Sequence, residues 1–251
     1  MLTDIAYCGP PPGAAELIGR WNFDPWLLLA FVAASIAWRL SARGRSLADT
    51  RAFTGAMIVL AIAFISPLCA ATAALFSARV VHHVLLVAVA APLLALAGVC
   101  GGKGSASNPV ALPLVIAMGI FYAWHAPPLY AAALKAPAVY WLMQASLLAS
   151  AAWFWACVFR PATPPATALL AILATAASMG LLGALLTFAP QPLYVAHLVA
   201  PYAFGLTPLD DQRLAGLIMW VPALVPYLVL AGLATRRWAC SASRADAGAR
   251  L

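Results

Sequence analysis

The chain has 251 residues, of which 65% are hydrophobic and 8% charged, with a formal net charge of +7. Soluble domains carry about a quarter charged residues, so this composition excludes an ordinary soluble domain and makes the lipid bilayer the chain's first partner. The basic excess is read below as a topology signal and not as a nucleic-acid footprint.

A membrane span needs roughly 20 predominantly apolar residues. Seven stretches meet or approach that length, at about 25–40, 54–75, 80–99, 109–124, 138–159, 167–188 and 213–235. Lipid offers a bare backbone no hydrogen-bond partner, so each must be helical. The expectation is therefore an all-α polytopic membrane protein: a bundle of seven transmembrane helices forming one domain over 24–238. An outer N-terminal segment, 1–23, precedes it and a cytoplasmic tail, 239–251, follows. The first stretch reads as a retained helix and not a cleaved leader, because acids and Pro10-Pro11-Pro12 precede it instead of a basic region. Asp24 is its expected N-cap, with Pro25 at the first helical position.

Assigning the connections alternately to two sides puts ten basic residues on one side: Arg39, Arg43, Arg45, Arg51, Lys103, Arg160, Arg236, Arg237, Arg244 and Arg250. Four fall on the other: Arg20, Arg79, Lys135 and Arg213. The positive-inside rule then places the N-terminus outside and the C-terminus in the cytoplasm.

On that assignment all four histidines lie toward the outer face. His82 and His83 open the third span, His125 closes the fourth and His197 sits in the loop before the seventh. Imidazole is the commonest protein ligand for copper, zinc and iron, although histidine also suits a headgroup region on its own account. His82 and His83 point about 100° apart on a helix, so only one faces the bundle axis squarely. His83 shares a face with Arg79, whose charge opposes a bound cation unless Asp210 or Asp211 pairs with it. His125 precedes Ala126-Pro127-Pro128, which should stop the fourth helix there. His83 and His125 are the leading metal-ligand candidates, followed by His82 and His197.

Cys8 and Cys69 share the outer side, where two readings stand: a disulfide in an oxidising compartment, or reduced thiols as soft ligands for Cu(I). Cys100, Cys157 and Cys240 fall toward the cytoplasm and read as packing residues. Met143 and Met219, in outer thirds of their spans, are core filler on the ordinary reading and accessory thioether ligands on the alternative. Thr207-Pro208-Leu209-Asp210 has the form of a helix start, with Asp210 and Asp211 complementing the dipole. That leaves unexplained why Gln212 and Arg213 crowd the same edge.

No Walker loop, nucleotide-binding glycine pattern, nucleophile elbow or HExxH occurs, and no carboxylates pair in mid-span, so no enzyme chemistry is expected. The Gly-Gly-Lys-Gly-Ser run at 101–105 lacks the strand-to-helix setting of a phosphate loop and reads as a turn.

Several stretches together resemble one family. YCGPPP followed by WNFDPW, HHVLLVAVAAPLLALAG, AWHAPPLY, GALLTFAPQPLY and above all PLDDQRLAGLIMWVP are similar to the multi-span cytochrome c oxidase assembly factors called CtaG, over nearly the whole chain. The resemblance implies a bacterial inner-membrane protein that matures a haem–copper oxidase. Copper is its cargo, oxidase subunits are its partners, and a periplasmic copper chaperone is a further one. The family pattern places histidines at His83 and His125 and acids at Asp210 and Asp211. It also carries a histidine four residues before His83, where this chain has Arg79; His82, His197 or Cys8 then takes its place, or the chain handles no metal. Three functions follow: copper-delivering assembly factor, metal-free scaffold for oxidase subunits, and copper transporter.

Overall fold

The computed structural model describes residues 6–41, 44–99 and 110–248. Cys100 and the turn at 101–105 lie outside the described residues, as do the side chain of Cys240 and those of 241–248. The described chain is helical: α1 (Pro25–Leu40), α2 (Leu47–Phe64), α3 (Pro67–Ala74), α4 (Phe76–Val84), a π-helical segment (Leu85–Ala90), α5 (Ala91–Leu96), α6 (Ala111–His125), α7 (Pro127–Lys135), α8 (Pro137–Phe159), α9 (Pro165–Phe188), α10 (Pro208–Trp220) and α11 (Leu224–Gly248). Five helical runs are long and apolar enough to cross a membrane: 47–64, 76–96, 137–159, 165–188 and 208–236. The α6–α7 pair, bent by 73° at Ala126, makes a sixth if it is one span, and α1 is a shorter apolar helix of 16 residues.

The expected starts and stops are largely found. Asp24 caps α1 by accepting from the Trp26 N–H at 2.8 Å, with Pro25 at the first position. α6 ends at His125, because Pro127 and Pro128 cannot continue it. The expected second span, 54–75, is divided instead. Ser66 accepts from the Leu68 N–H and Pro67 starts a new helix, so the long helix is α2, which begins earlier at a Ser46–Asp49 capping box, and α3 is a separate eight-residue piece. The expected seventh span, 213–235, falls within the single run 208–236, in which a turn at 221–223 separates α10 from α11.

Tight helix contact is made by small residues. α9 and α10 cross where Gly183 meets Gly216: a Cβ at Gly216 would lie 2.5 Å from the Gly183 carbonyl oxygen and closer still to Thr187 Oγ1. The small-residue run in the sixth span therefore serves packing inside the bundle. α8 runs through the middle, against α5, α6, α7 and the π-helical segment. Its Trp155 is buried and donates through Nε1 to the Val87 carbonyl at 2.9 Å.

That bond explains the π-helical segment locally. The Ala91 N–H reaches back five residues to the Leu86 carbonyl, and the next donor in register would be residue 92. Pro92 has no N–H, which leaves the Val87 carbonyl to the indole.

α1 is attached mainly at its two ends. Trp38 stacks on Phe53 of α2 with ring centres 4.3 Å apart, and at the other end Tyr7 donates to Asp24 at 2.6 Å. Between these points lies a cavity of about 530 Å³ lined by Leu27, Phe31, Leu60, Phe64, Trp141 and Gln144, among others. The outer flank of α1 exposes Trp26, Leu29, Val32, Ile36 and Leu40, a surface suited to lipid.

Candidate functional site

The site is built on α4. Leu75 is extended and offers no side-chain cap to this helix. The cap comes from elsewhere in the chain: Asp211 of α10, fully buried, accepts from the Phe76 N–H at 2.7 Å, the Ser77 N–H at 3.1 Å and Ser77 Oγ at 2.5 Å. A carboxylate at a helix N-terminus satisfies the orphan donors and complements the dipole. The next turns of α4 then carry Arg79, His82 and His83.

All three are buried, none more than 1% exposed, and His125 is 4% exposed. These histidines, expected toward the outer face, are enclosed: α4 meets α2, α6, α8 and α10, so both adjacent imidazoles find an interior neighbour. His82 turns toward α2, edge-on to Phe64 at 4.9 Å between ring centres. His83 turns toward α6 and lies edge-on to His125 at 5.5 Å, while the His82 and His83 rings are 6.0 Å apart.

Their hydrogen bonding is incomplete. His125 Nδ1 pairs with the Phe121 carbonyl at 2.7 Å, so Nδ1 is the protonated nitrogen and Nε2 carries the free lone pair. That Nε2, and both ring nitrogens of His83, are buried without a hydrogen-bond partner. His82 also lacks a bond of proper geometry, the Ala63 carbonyl being the backbone group it faces. An unpaired buried polar group costs about 1–3 kcal/mol, which makes three such rings side by side a feature to be explained.

Could the rings hold a metal? Among the described residues no three His, Cys, Asp or Glu side chains stand together in ligating geometry. Two imidazoles on one ion, each nitrogen about 2 Å from it, have ring centres roughly 5 to 5.5 Å apart at angles of about 110–120° and roughly 6.3 Å apart in line. The His83–His125 spacing suits the first of these, and the nitrogens needed are the ones left unpaired. The donor set fits an ion held at a bent angle by two neutral imidazoles.

Arg79 adds a positive charge with no carboxylate in ion-pair range among the described residues. Its Nη2 donates to the Thr72 carbonyl at 3.3 Å and its guanidinium sits 5.4 Å from the centre of the Tyr140 ring, while Nε and Nη1 are unpaired. The acids expected to pair with it do other work. Asp211 caps α4, and Asp210 is exposed and closes its own helix start with Thr207, accepting from Thr207 Oγ1 at 2.6 Å. Gln212 supplies the rest of the answer for that crowded edge. Its Oε1 accepts from the Leu193 N–H at 2.7 Å and its Nε2 donates to the Leu186 carbonyl at 3.3 Å, fastening the loop after α9. Arg213 is exposed.

His197 is placed apart from the other three. Nδ1 lies 3.1 Å from the Ala74 carbonyl and Nε2 lies 2.6 Å from the Tyr130 hydroxyl, so both nitrogens are engaged. Burial holds its pKa down at about 4. Met143 and Met219 are both buried in the apolar core. Free Cys157 is buried at the far end of α8.

Cys8 and Cys69 form a disulfide, the first of their two sequence readings. It clasps the N-terminal segment over α3, where Asn22 donates to the Phe64 carbonyl at 3.1 Å and approaches Cys69 Sγ at 3.7 Å. Tyr7 stacks on Tyr140 at 4.9 Å. The sequence reading passed over Tyr140, beside Arg79, and Gln144, which lines the cavity next to α1 with Phe64 and Trp141; both are buried on α8. The signal for Gln144 was there: an amide inside a 23-residue apolar helix.

A family model described as cytochrome c oxidase caa3 assembly factor, Caa3_CtaG, matches residues 31–100 and 105–241. The chain therefore belongs to the cytochrome c oxidase caa3 assembly factor family, as a polytopic helical membrane protein. No curated protein and no solved structure matches it.

Proposed function

We propose that this protein serves the maturation of a haem–copper oxidase by holding copper between His83 and His125 and handing it to an oxidase subunit. The observation that carries this reading is the set of unpaired nitrogens, both of His83 and Nε2 of His125, buried side by side in the bundle. Phe121 orients His125 through Nδ1, and Asp211 fixes the start of the helix that presents His83. Neutral nitrogen ligands release an ion by ligand exchange, which suits delivery better than permanent storage. The outer face of a bacterial inner membrane is the setting, and a periplasmic copper chaperone is the proposed donor.

Transport through the bundle is the less supported use of copper. Beyond His83 the interior is filled by Leu86, Leu147, Phe154 and Trp155, and the void among Val87, Phe121, Thr175 and Tyr227 is only about 10 Å³. Ser150 and Thr175 direct their hydroxyls to carbonyls of their own helices. A metal-free scaffold is the second reading, favoured by the laterally open apolar cavity beside α1, which offers oxidase subunits a docking surface.

The test is copper content of purified protein together with oxidase activity of copper-limited membranes. His83→Gln and His125→Gln should each lower bound Cu(I) and oxidase activity while the protein accumulates normally. A fully active oxidase in both variants would sink delivery and leave the scaffold.

A further inference from the structure

We infer that Cys8 and Cys69, once reduced, form a second Cu(I) site, a bis-thiolate loading site that stands directly outside the histidine pair and is closed whenever the disulfide is formed. The inference rests on the copper reading above and adds to it a separate site, an anionic metal complex and a redox condition.

The first observation is Arg79. A buried guanidinium with Nε and Nη1 unpaired, and no carboxylate within ion-pair distance among the described residues, marks a place that lacks an anion. Neutral histidines do not supply one, and a cation held by them makes the local charge worse. Cu(I) held by two thiolates carries a net charge of minus one, and so supplies it.

The second observation is where the sulfurs lie. Cys8 Sγ is 3.6 Å from the Tyr140 hydroxyl and 3.9 Å from Thr72 Oγ1. Tyr140 and Thr72 are also neighbours of the Arg79 guanidinium, through the phenol ring and the Thr72 carbonyl, and Tyr130 is a third. Cys8 Sγ and the guanidinium thus share Tyr140 and Thr72 as neighbours. From Arg79, His82 and His83 are one helical turn further in, about 5 Å along the axis. Copper passing from thiolates to imidazoles moves inward, and the anionic complex becomes a cationic one as it does.

Opening the site is thiol–disulfide exchange with an external dithiol reductant. Cys69 is fully buried and Cys8 only partly, so the reductant's thiolate attacks Cys8 Sγ. The S–S bond breaks and Cys69 leaves as thiolate, in the first turn of α3 and facing the Asn22 amide. The reductant's second thiolate then attacks its own sulfur in the mixed disulfide, closing its disulfide and releasing Cys8. Two electrons pass from the dithiol to the cystine, and Cu(I) binding displaces the two thiol protons.

The experiment uses the full chain, purified oxidised or reduced and freed of reductant under argon, with Cu(I) titrated against bicinchoninate as competing chelator. Reduced protein should bind one more Cu(I) per chain than oxidised protein, with an ultraviolet thiolate-to-copper charge-transfer band. The Cys8→Ser/Cys69→Ser double variant should stay at the oxidised stoichiometry under both treatments. Arg79→Gln should weaken the reduction-dependent Cu(I) by about tenfold, the loss typical of removing an outer-shell partner. Equal stoichiometry in the two redox states overturns the loading site and leaves the histidine reading intact. A reduction-dependent Cu(I) in a protein whose other binding ignores His83→Gln would instead keep the loading site and overturn the histidine reading.

Discussion

Asp211 and Ser77, 134 residues apart in sequence, are joined by two hydrogen bonds, from the serine N–H and from its hydroxyl, to a single carboxylate oxygen. Through this contact α10 fixes the axial position of α4 and so of Arg79, His82 and His83. The neighbouring acid, Asp210, belongs to a different task, the start of its own helix.

The two acids should therefore respond differently to loss of charge. Asp210→Asn keeps a side-chain oxygen and loses a dipole contribution of roughly 0.3–1 kcal/mol, so oxidase maturation should survive it. Asp211→Asn leaves at least one buried donor without its acceptor, at about 1–3 kcal/mol, and should lower both thermal stability in detergent and oxidase activity. Combined with Arg79→Gln, Asp210→Asn should be additive, since the two side chains form no ion pair. A coupled loss in that double variant would show an interaction that the described geometry lacks.

The α9–α10 crossing makes a sharper demand. Gly216→Ala places a Cβ against the Gly183 carbonyl and Thr187, all of it fixed by helix backbone, and should cost about 1–3 kcal/mol or more. Gly180→Ala meets only the Trp220 ring, at 3.4 Å, and should be mild. Yield of folded protein from membranes, compared for the two variants, checks the contrast; equal tolerance would contradict the close approach.

His197 should make the outer loop acid-sensitive. Its folded pKa of about 4 lies below the ordinary value near 6.5, because burial disfavours the imidazolium; the Arg79 charge acts in the same direction, and the Ala74 carbonyl and Asp211 oppose it. A depressed histidine pKa means that the unfolded chain binds the proton first. Stability is thus complete above about pH 6.5 and declines as pH falls toward 4, by on the order of 3 kcal/mol at most. Tyr130 and Phe76 also face the ring. Thermal unfolding between pH 7 and 4 should show the decline, and His197→Gln should reduce it by the share of this one ring, leaving that of the three other buried imidazoles.

Topology carries a fourth expectation. The ten-to-four asymmetry of basic residues puts the C-terminus in the cytoplasm and the loop at 190–207 outside. Seven crossings also require α1 to span with 16 residues, about 24 Å of helix, where the hydrocarbon is near 30 Å. A reporter active only in the cytoplasm should give signal at the C-terminus and none when inserted within 190–207. The reverse pattern would move every histidine to the other face.

Local signals in the sequence were read well because local sterics decide them. Asp24-Pro25, Thr207-Pro208 and the stop before Pro127 each depend on a few neighbouring residues. Ser66-Pro67 was a signal of the same kind and was passed over, since the apolar run continues across it and hydropathy alone does not register a break. The histidines' burial was not legible, because a residue near a span end looks peripheral until the neighbouring helices and the 190–207 loop are packed over it. Least visible of all was the capping of α4 by Asp211, a local need met by a residue 134 positions away. The family resemblance identified the acidic motif without revealing that its two acids serve two helices.

The π-helical segment has a consequence for how this bundle is phased. Between His83 and Pro92 the chain carries the additional residue that a single π-turn accommodates. One residue is about 100° of rotation, so the angular positions of α4 and α5 are set separately although they share an axis. Upstream, the angle is chosen to aim imidazoles at α2 and α6; downstream, it is chosen to seat α5 against α2 and α8. Removing one residue from 85–90 would restore a regular helix and turn one half by about 100° relative to the other. The Trp155 indole, held on the Val87 carbonyl, sits at the joint between the two and holds their offset.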